Sequence, residues 1–187
     1  MKTSIFSLFL SVLCLSLHAQ LTVENLTNLS YARMAHQQIA IGQDKFIVVG
    51  GHVNGFNLTK NAEIYNSNTK TWQVLAANYN HDMGFIAKLN NGKYLIGGGC
   101  SSSLGVGQSA TTEIFDPSNN SFTPAASMNV ARTNACAATL KDGRVLVIGN
   151  WYASAANGEV YDPVTNKFTL TGPCLVARSF PVIIPTN

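Results

Sequence analysis

Three arginines and three glutamates recur at matched intervals: Arg33, Arg132 and Arg178, with Glu63, Glu113 and Glu159. A ring of guanidinium groups is suited to gripping a carboxylate through paired N–H donors. The competing reading pairs each arginine with a glutamate within or between repeated units, because an unpaired buried ion costs several kcal/mol. Repetition in every unit favours pairing, since a ligand site should break symmetry. His81 does break it, standing where the other units have arginine. Such a histidine can serve as acid, base or ligand. Asp82 follows it, but neighbours on a strand point to opposite faces, so no His–Asp relay follows. His52 comes just after a first glycine pair, and Trp151-Tyr152 after a third glycine motif. Aromatic rings there suit stacking on a sugar, or else pack a loop onto a sheet edge.

Other chemistries lack their residues. The run Gly97 to Gly107 is glycine-rich but has no Gly-Lys-Ser/Thr ending, so it is not a phosphate loop. No Gly-x-Ser-x-Gly elbow, His-Glu-x-x-His, Cys-x-x-Cys or carboxylate pair appears. Neither a metal site nor a cofactor is expected, and an enzyme is the less favoured reading. With 11% charged residues and a net charge of +3, the chain lacks the basic footprint of a nucleic-acid binder. Its 46% hydrophobic content argues against disorder.

The N-terminus reads as an export signal, residues 1–19. Lys2 precedes an apolar run from Ile5 to Leu17, and Leu17-His18-Ala19 before Gln20 offers a cleavage site. Thirteen residues fall short of the roughly 20 that span a bilayer as a helix. No membrane span is therefore expected after cleavage, and the mature chain should be secreted, periplasmic or on the cell surface. Cys14 lies in the signal without the flanking residues of a lipidation site. Cys100, Cys136 and Cys174 remain, an odd number, so at least one is free or pairs outside the chain.

These residues sit on a repeat. Phe46-Ile-Val-Val-Gly50-Gly51 returns as Tyr94-Leu-Ile-Gly97-Gly98-Gly99 and as Val145-Leu-Val-Ile-Gly149-Asn150. Glu63, Glu113 and Glu159 each precede an aromatic residue (Trp72, Phe122, Phe168) by nine positions. Glutamate to glutamate, the steps are 50 and 46 residues, which means stacked supersecondary units. Each unit resolves into four strands, a to d. Strand a ends in a tight turn, two of which carry Asn91-Gly92 or Asp142-Gly143. Strand b is continuously apolar, as for a strand buried on both faces. Strand c holds the glutamate, and an Asx-Pro turn leads to strand d. The expected class is all-β.

The glycine doublet after an apolar strand, then a Tyr-type residue, then a Trp resembles kelch repeats over nearly the whole mature chain. The match is imperfect: Asn150 replaces a second glycine, and Phe122 and Phe168 replace tryptophan. The resemblance implies a β-propeller in which each repeat is one blade about a central channel, with His36 lining the channel or packed beside it. The expected blades run over 33–77, 81–126 and 132–172, flanked by a d-type strand at 21–26 and the start of a next blade at 178–187. Residues 20–187 would then be an incomplete propeller, the N-terminal portion of a longer protein, with a half-ring that dimerises as the rival.

The b–c loops (His52–Asn61, Cys100–Thr111, Trp151–Asn157) vary on a repeated frame, and binding usually sits on such loops. Together with the d–a connections they form one face, where a protein or carbohydrate would bind. The expected function is an exported interaction scaffold. The alternative is a sugar-active enzyme, since exported kelch propellers resemble sialic-acid mutarotases and the central domain of galactose-oxidase-like copper enzymes.

Overall fold

A computed structural model describes residues 27–103, 106–151, 157–176 and 178–183. The expected signal (1–19), the d-type strand at 21–26, Tyr152 and residues 184–187 lie outside them. The described chain is three successive four-stranded antiparallel sheets.

Blade 1 begins with β1 (Gln37–Ala40) and β2 (Lys45–Val49). A small ribbon follows, β3 (His52–Val53) and β4 (Asn57–Leu58), and then β5 (Asn61–Asn66) and β6 (Thr71–Ala76) close the sheet. Blade 2 is β7 (Phe85–Lys88), β8 (Tyr94–Gly97), β9 (Thr112–Asp116) and β10 (Ser121–Pro124). Blade 3 is β11 (Cys136–Thr139), β12 (Val145–Ile148), β13 (Asn157–Asp162) and β14 (Lys167–Pro173). In all three the spatial order follows the chain, a-b-c-d. The innermost strand β7 packs against both β1 and β11, so the sheets fan out from a common axis.

Alternation along each strand builds the two seams. Tyr94 and Ile96 face blade 1 and meet Ile47, Val49 and Ile64. Leu95, between them in sequence, faces blade 3 with Phe85 and Ala87, against Val145, Val147 and Tyr161. That two-sided burial explains why strand b reads as an unbroken apolar run. Third- and fourth-strand aromatics pair on each blade: Tyr65–Trp72, Phe115–Phe122 and Tyr161–Phe168, with ring centroids 5.0, 4.9 and 4.9 Å apart.

The glycine doublet has a steric cause at each seam. A Cβ on Gly50 would lie 2.4 Å from the His81 carbonyl oxygen, and one on Gly98 would lie 2.7 Å from that of Arg132. Both glycines also adopt φ near +70° and +65°, which disfavours side chains. Thus the end of strand b abuts the backbone entering the next blade. Asn150 takes the place of a second glycine; its Oδ1 accepts the Thr133 N–H (3.4 Å) and its Nδ2 donates to Ala131 O (3.1 Å).

One residue at the mouth of every strand a is left-handed: Ala35, Met83, Asn134 and Phe180, with φ of 57°, 56°, 54° and 51°. Their backbones link blade to blade. Met83 N donates to Ala35 O (2.9 Å), Asn134 N to Met83 O (2.8 Å) and Phe180 N to Asn134 O (3.3 Å). The fourth member holds the register expected for Arg178, but residues 178–183 form no strand.

Candidate functional site

The recurring charges are wholly buried and paired. Arg33 Nη2 lies 2.7 Å from Glu63 Oε1, and Arg132 Nη2 lies 3.2 Å from Glu159 Oε1. His81 Nε2 lies 2.8 Å from Glu113 Oε1. All six side chains are 0% exposed. Every nitrogen of the Arg132 guanidinium is engaged, with Glu159, Gly149 O and Asn157 O. Each glutamate also accepts backbone N–H groups from the segment entering its blade: Ser30 and Tyr31 on Glu63, Asn78 on Glu113, Asn129 and Val130 on Glu159. The pair therefore clamps the incoming d–a segment onto strand c. Burial alone would raise the Glu113 carboxyl, but hydrogen bonds from His81 and Asn78, with the His81 charge, hold it below the usual range. Arg178 is exposed, unlike its two equivalents.

The symmetry breaks on the face formed by the b–c loops and d–a segments. His52, Cys100 and Trp151 occupy one equivalent position, and Met34, Asp82 and Thr133 another. Each member of the first set meets the next blade. His52 Nδ1 lies 2.8 Å from Asp82 Oδ1 across the first seam. Cys100 Sγ lies 3.7 Å from Thr133 Oγ1 across the second. Trp151 packs edge-on against Phe180, centroids 5.3 Å apart. Burial pushes the Cys100 thiol up, so it is no activated nucleophile. His52 Nε2 and Asp82 Oδ2 are buried without a hydrogen-bond partner.

Sequence reasoning placed His52, His81, Arg132 and Trp151 as binding candidates. The structure brings His52 and Asp82 together, leaves Trp151 half exposed (50%), and buries His81 and Arg132 in the clamps. It adds Phe56, which sequence reasoning missed. Phe56 ends a 3-10 turn (Asn54–Phe56) between β3 and β4, stacks on His52 at 4.8 Å and is 47% exposed. Its φ of 59° is strained for a bulky residue. Gly55 just before it was the only sequence signal. Near the axis, His36, Gln37, Met83, Asn134, Cys136 and Phe180 line a cavity of ≈ 440 Å³. His36 Nδ1 is buried and unpartnered there; burial and the nearby Arg33 charge push this imidazole toward its neutral form. The three described cysteines are free thiols. Among the described residues no three His, Cys, Asp or Glu side chains are placed to hold a metal ion. Nor is any described helix long and apolar enough to cross a membrane.

No protein-family profile matches the chain. It is 31% identical over 138 residues to the Kelch repeat-containing protein kel-10 of Caenorhabditis elegans, covering 71% of this chain and 23% of that protein. It is 28% identical over 136 residues to the human Kelch-like protein 23, covering 69% and 23%. To the galactose oxidase of Gibberella zeae it is 28% identical over 123 residues, covering 64% and 17%. The chain thus spans about a quarter of the length of the first of these relatives. Among solved structures, a fungal alcohol oxidase of the AA5 family in complex with copper superposes with a TM-score of 0.54. That match covers 67% of this chain and 27% of the other at 23% identity, a likeness of fold alone.

Proposed function

Since the chain is a run of kelch-type propeller blades, we propose that it is an exported interaction scaffold that binds a protein or a carbohydrate on its b–c/d–a loop face. The observation that carries this reading is the contrast between frame and loops. Clamps, glycines and aromatic pairs repeat in every blade, whereas equivalent loop-face positions carry His52, Cys100 and Trp151. That face also exposes Phe56, Val106 and Trp151, side chains of the kind that anchor interfaces and stack on sugar rings.

The test is a binding screen of the purified chain against immobilised oligosaccharides and cell-surface proteins, repeated with Phe56→Ala and Trp151→Ala. Each variant should weaken binding about tenfold, roughly 1.4 kcal/mol, with unchanged melting. The turn-face control Val164→Ala should not. Full binding in both loop variants would sink the reading. Export is checked separately: N-terminal sequencing of the secreted protein should begin at Gln20.

A second reading, a sugar-active enzyme, draws on the galactose oxidase similarity. Among the described residues no three His, Cys, Asp or Glu side chains converge to hold a copper ion. A carboxylate-sugar chemistry would need free guanidinium donors, and those of Arg132 are spent on the chain itself. The binding scaffold remains the better supported of the two.

A further inference from the structure

The a–b and c–d turns form the face opposite the b–c loops, and there the two seams end differently. We propose that the turn-face cleft between blades 2 and 3 is a binding site for a neutral oligosaccharide, and that the matching place between blades 1 and 2 is not.

The cleft is a cavity of ≈ 410 Å³ lined wholly by residues of blades 2 and 3, a volume in the range of small-molecule sites. The buried Leu89 and Tyr161 give it an apolar base, and the exposed Asn91, Asn119 and Asn166 line it with amides. These three amides are tied down alike. Asn91 Oδ1 accepts the Lys93 N–H (3.1 Å). Asn119 Oδ1 accepts the N–H and hydroxyl of Ser121 (3.2 and 2.7 Å). Asn166 Oδ1 accepts the Ala126 N–H and the Tyr161 hydroxyl, both at 3.0 Å. Each oxygen is held by the chain itself, and among the described residues each Nδ2 is left without a protein partner. Asp116 supplies an acceptor beside these donors. The Ser118 hydrogen bonds and the Lys93 ammonium hold its carboxyl down to about 2, so it stays ionised at working pH. Fixed amide donors and a carboxylate around an apolar base suit a sugar ring, whose hydroxyls both give and take hydrogen bonds. Lys93 and Asp116 are the only charged residues lining the cleft, and they pair at 2.9 Å. Their charges cancel, which leaves no net attraction for an acidic sugar.

The first seam shows what closes such a place. Asn120 is the counterpart of Asn166 in the c–d turn, and both are left-handed, with φ of 57° and 51°. Asn120 Nδ2, however, donates to Gln73 Oε1 across the seam (3.4 Å), and Leu75 packs on the apolar cluster beside it. In blade 2 the register puts Thr123 where blade 1 has Gln73, and Ala125 follows where Leu75 stands. Thr123 carries no amide to occupy Asn166, and Ala125 leaves the hollow open. The cleft therefore exists where the repeat is broken. It stands whether or not the loop face binds a ligand.

The test begins with the purified chain on immobilised neutral and acidic oligosaccharides. The best-retained neutral sugar is then titrated into ¹⁵N-labelled chain. The side-chain amide signals of Asn91 and Asn166 should shift, and that of Asn120 should not. Thr123→Gln combined with Ala125→Leu copies the first seam into the second. It should weaken binding about tenfold or more without lowering the melting temperature. Should that variant fail to fold, Asn91→Ala on the exposed turn should weaken binding roughly threefold with unchanged melting. Retention of no neutral sugar, a preference for acidic ones, or unshifted Asn91 and Asn166 amides overturns the inference. Shifts confined to Phe56 and Trp151 would overturn it while leaving the loop-face reading intact.

Discussion

Between blades 1 and 2 the fourth strand sends Gln73 and Leu75 into the seam. Leu75 packs on the shared apolar cluster, and Gln73 Oε1 accepts from Asn120 Nδ2 at 3.4 Å. Between blades 2 and 3 the equivalent residues are Thr123 and Ala125, and there the turn face opens into a cavity of ≈ 410 Å³. Met128, on the linker, fills part of that second seam. The clamps differ as well: the segment entering blade 2 is held by a histidine and the one entering blade 3 by an arginine. Packing and charge thus divide the work differently at two joints of one repeat.

Breaking the stronger clamp should produce the largest effect. Arg132→Ala leaves Glu159 buried without its cation, and Gly149 O and Asn157 O without that donor. A loss of about 3–5 kcal/mol is expected, read from urea denaturation. His81→Ala should cost less, about 1–3 kcal/mol, because the imidazole makes two hydrogen bonds where the Arg132 guanidinium makes four. If the two variants prove equally destabilised, the division of labour is wrong.

Packing gives the next test. Leu75→Ala should cost about 2–4 kcal/mol by opening the first seam. Ala125→Leu, entering the existing cavity, should stabilise by about 1 kcal/mol or less. A destabilised Ala125→Leu would mean that the second seam cannot accept the side chain and is hollow by shape rather than by composition.

Much of this frame was legible in the residues themselves. Strand b showed two-sided burial because its apolar run is unbroken, and the equal spacing of Glu63, Glu113 and Glu159 from Trp72, Phe122 and Phe168 marked strands c and d. The arginine–glutamate pairing was likewise the favoured of two readings, on repetition alone. Three things could not be read. The β3–β4 ribbon is too short to carry a periodicity, so Phe56 stayed hidden. The left-handed residues Ala35, Met83, Asn134 and Phe180 share no side-chain chemistry; their conformation is imposed by backbone bonds from the neighbouring blade. The His52–Asp82 pair joins residues 30 positions apart in different blades, which only the fan of sheets brings together.

The smallest expected effect lies on the acid side of the histidine clamp. The Glu113 carboxyl is held below its ordinary value of 4.5 by the His81 and Asn78 hydrogen bonds, against the opposing push of burial. A lowered folded-state value means that the unfolded chain takes up the proton first as pH falls. The stability Glu113 contributes is therefore complete above the ordinary carboxylate range and drains away as pH drops through the folded value. Protonation leaves Glu113 resembling glutamine, so Glu113→Gln is the natural comparison. Melting temperatures of the two chains should differ most near pH 6 and converge toward about pH 3. The convergence should be modest, because Asn78 can still bond to a neutral partner and the apolar seam is untouched. A gap that stays constant across that range would mean that the His81 and Asn78 hydrogen bonds do not favour the ionised Glu113 carboxylate over the neutral one.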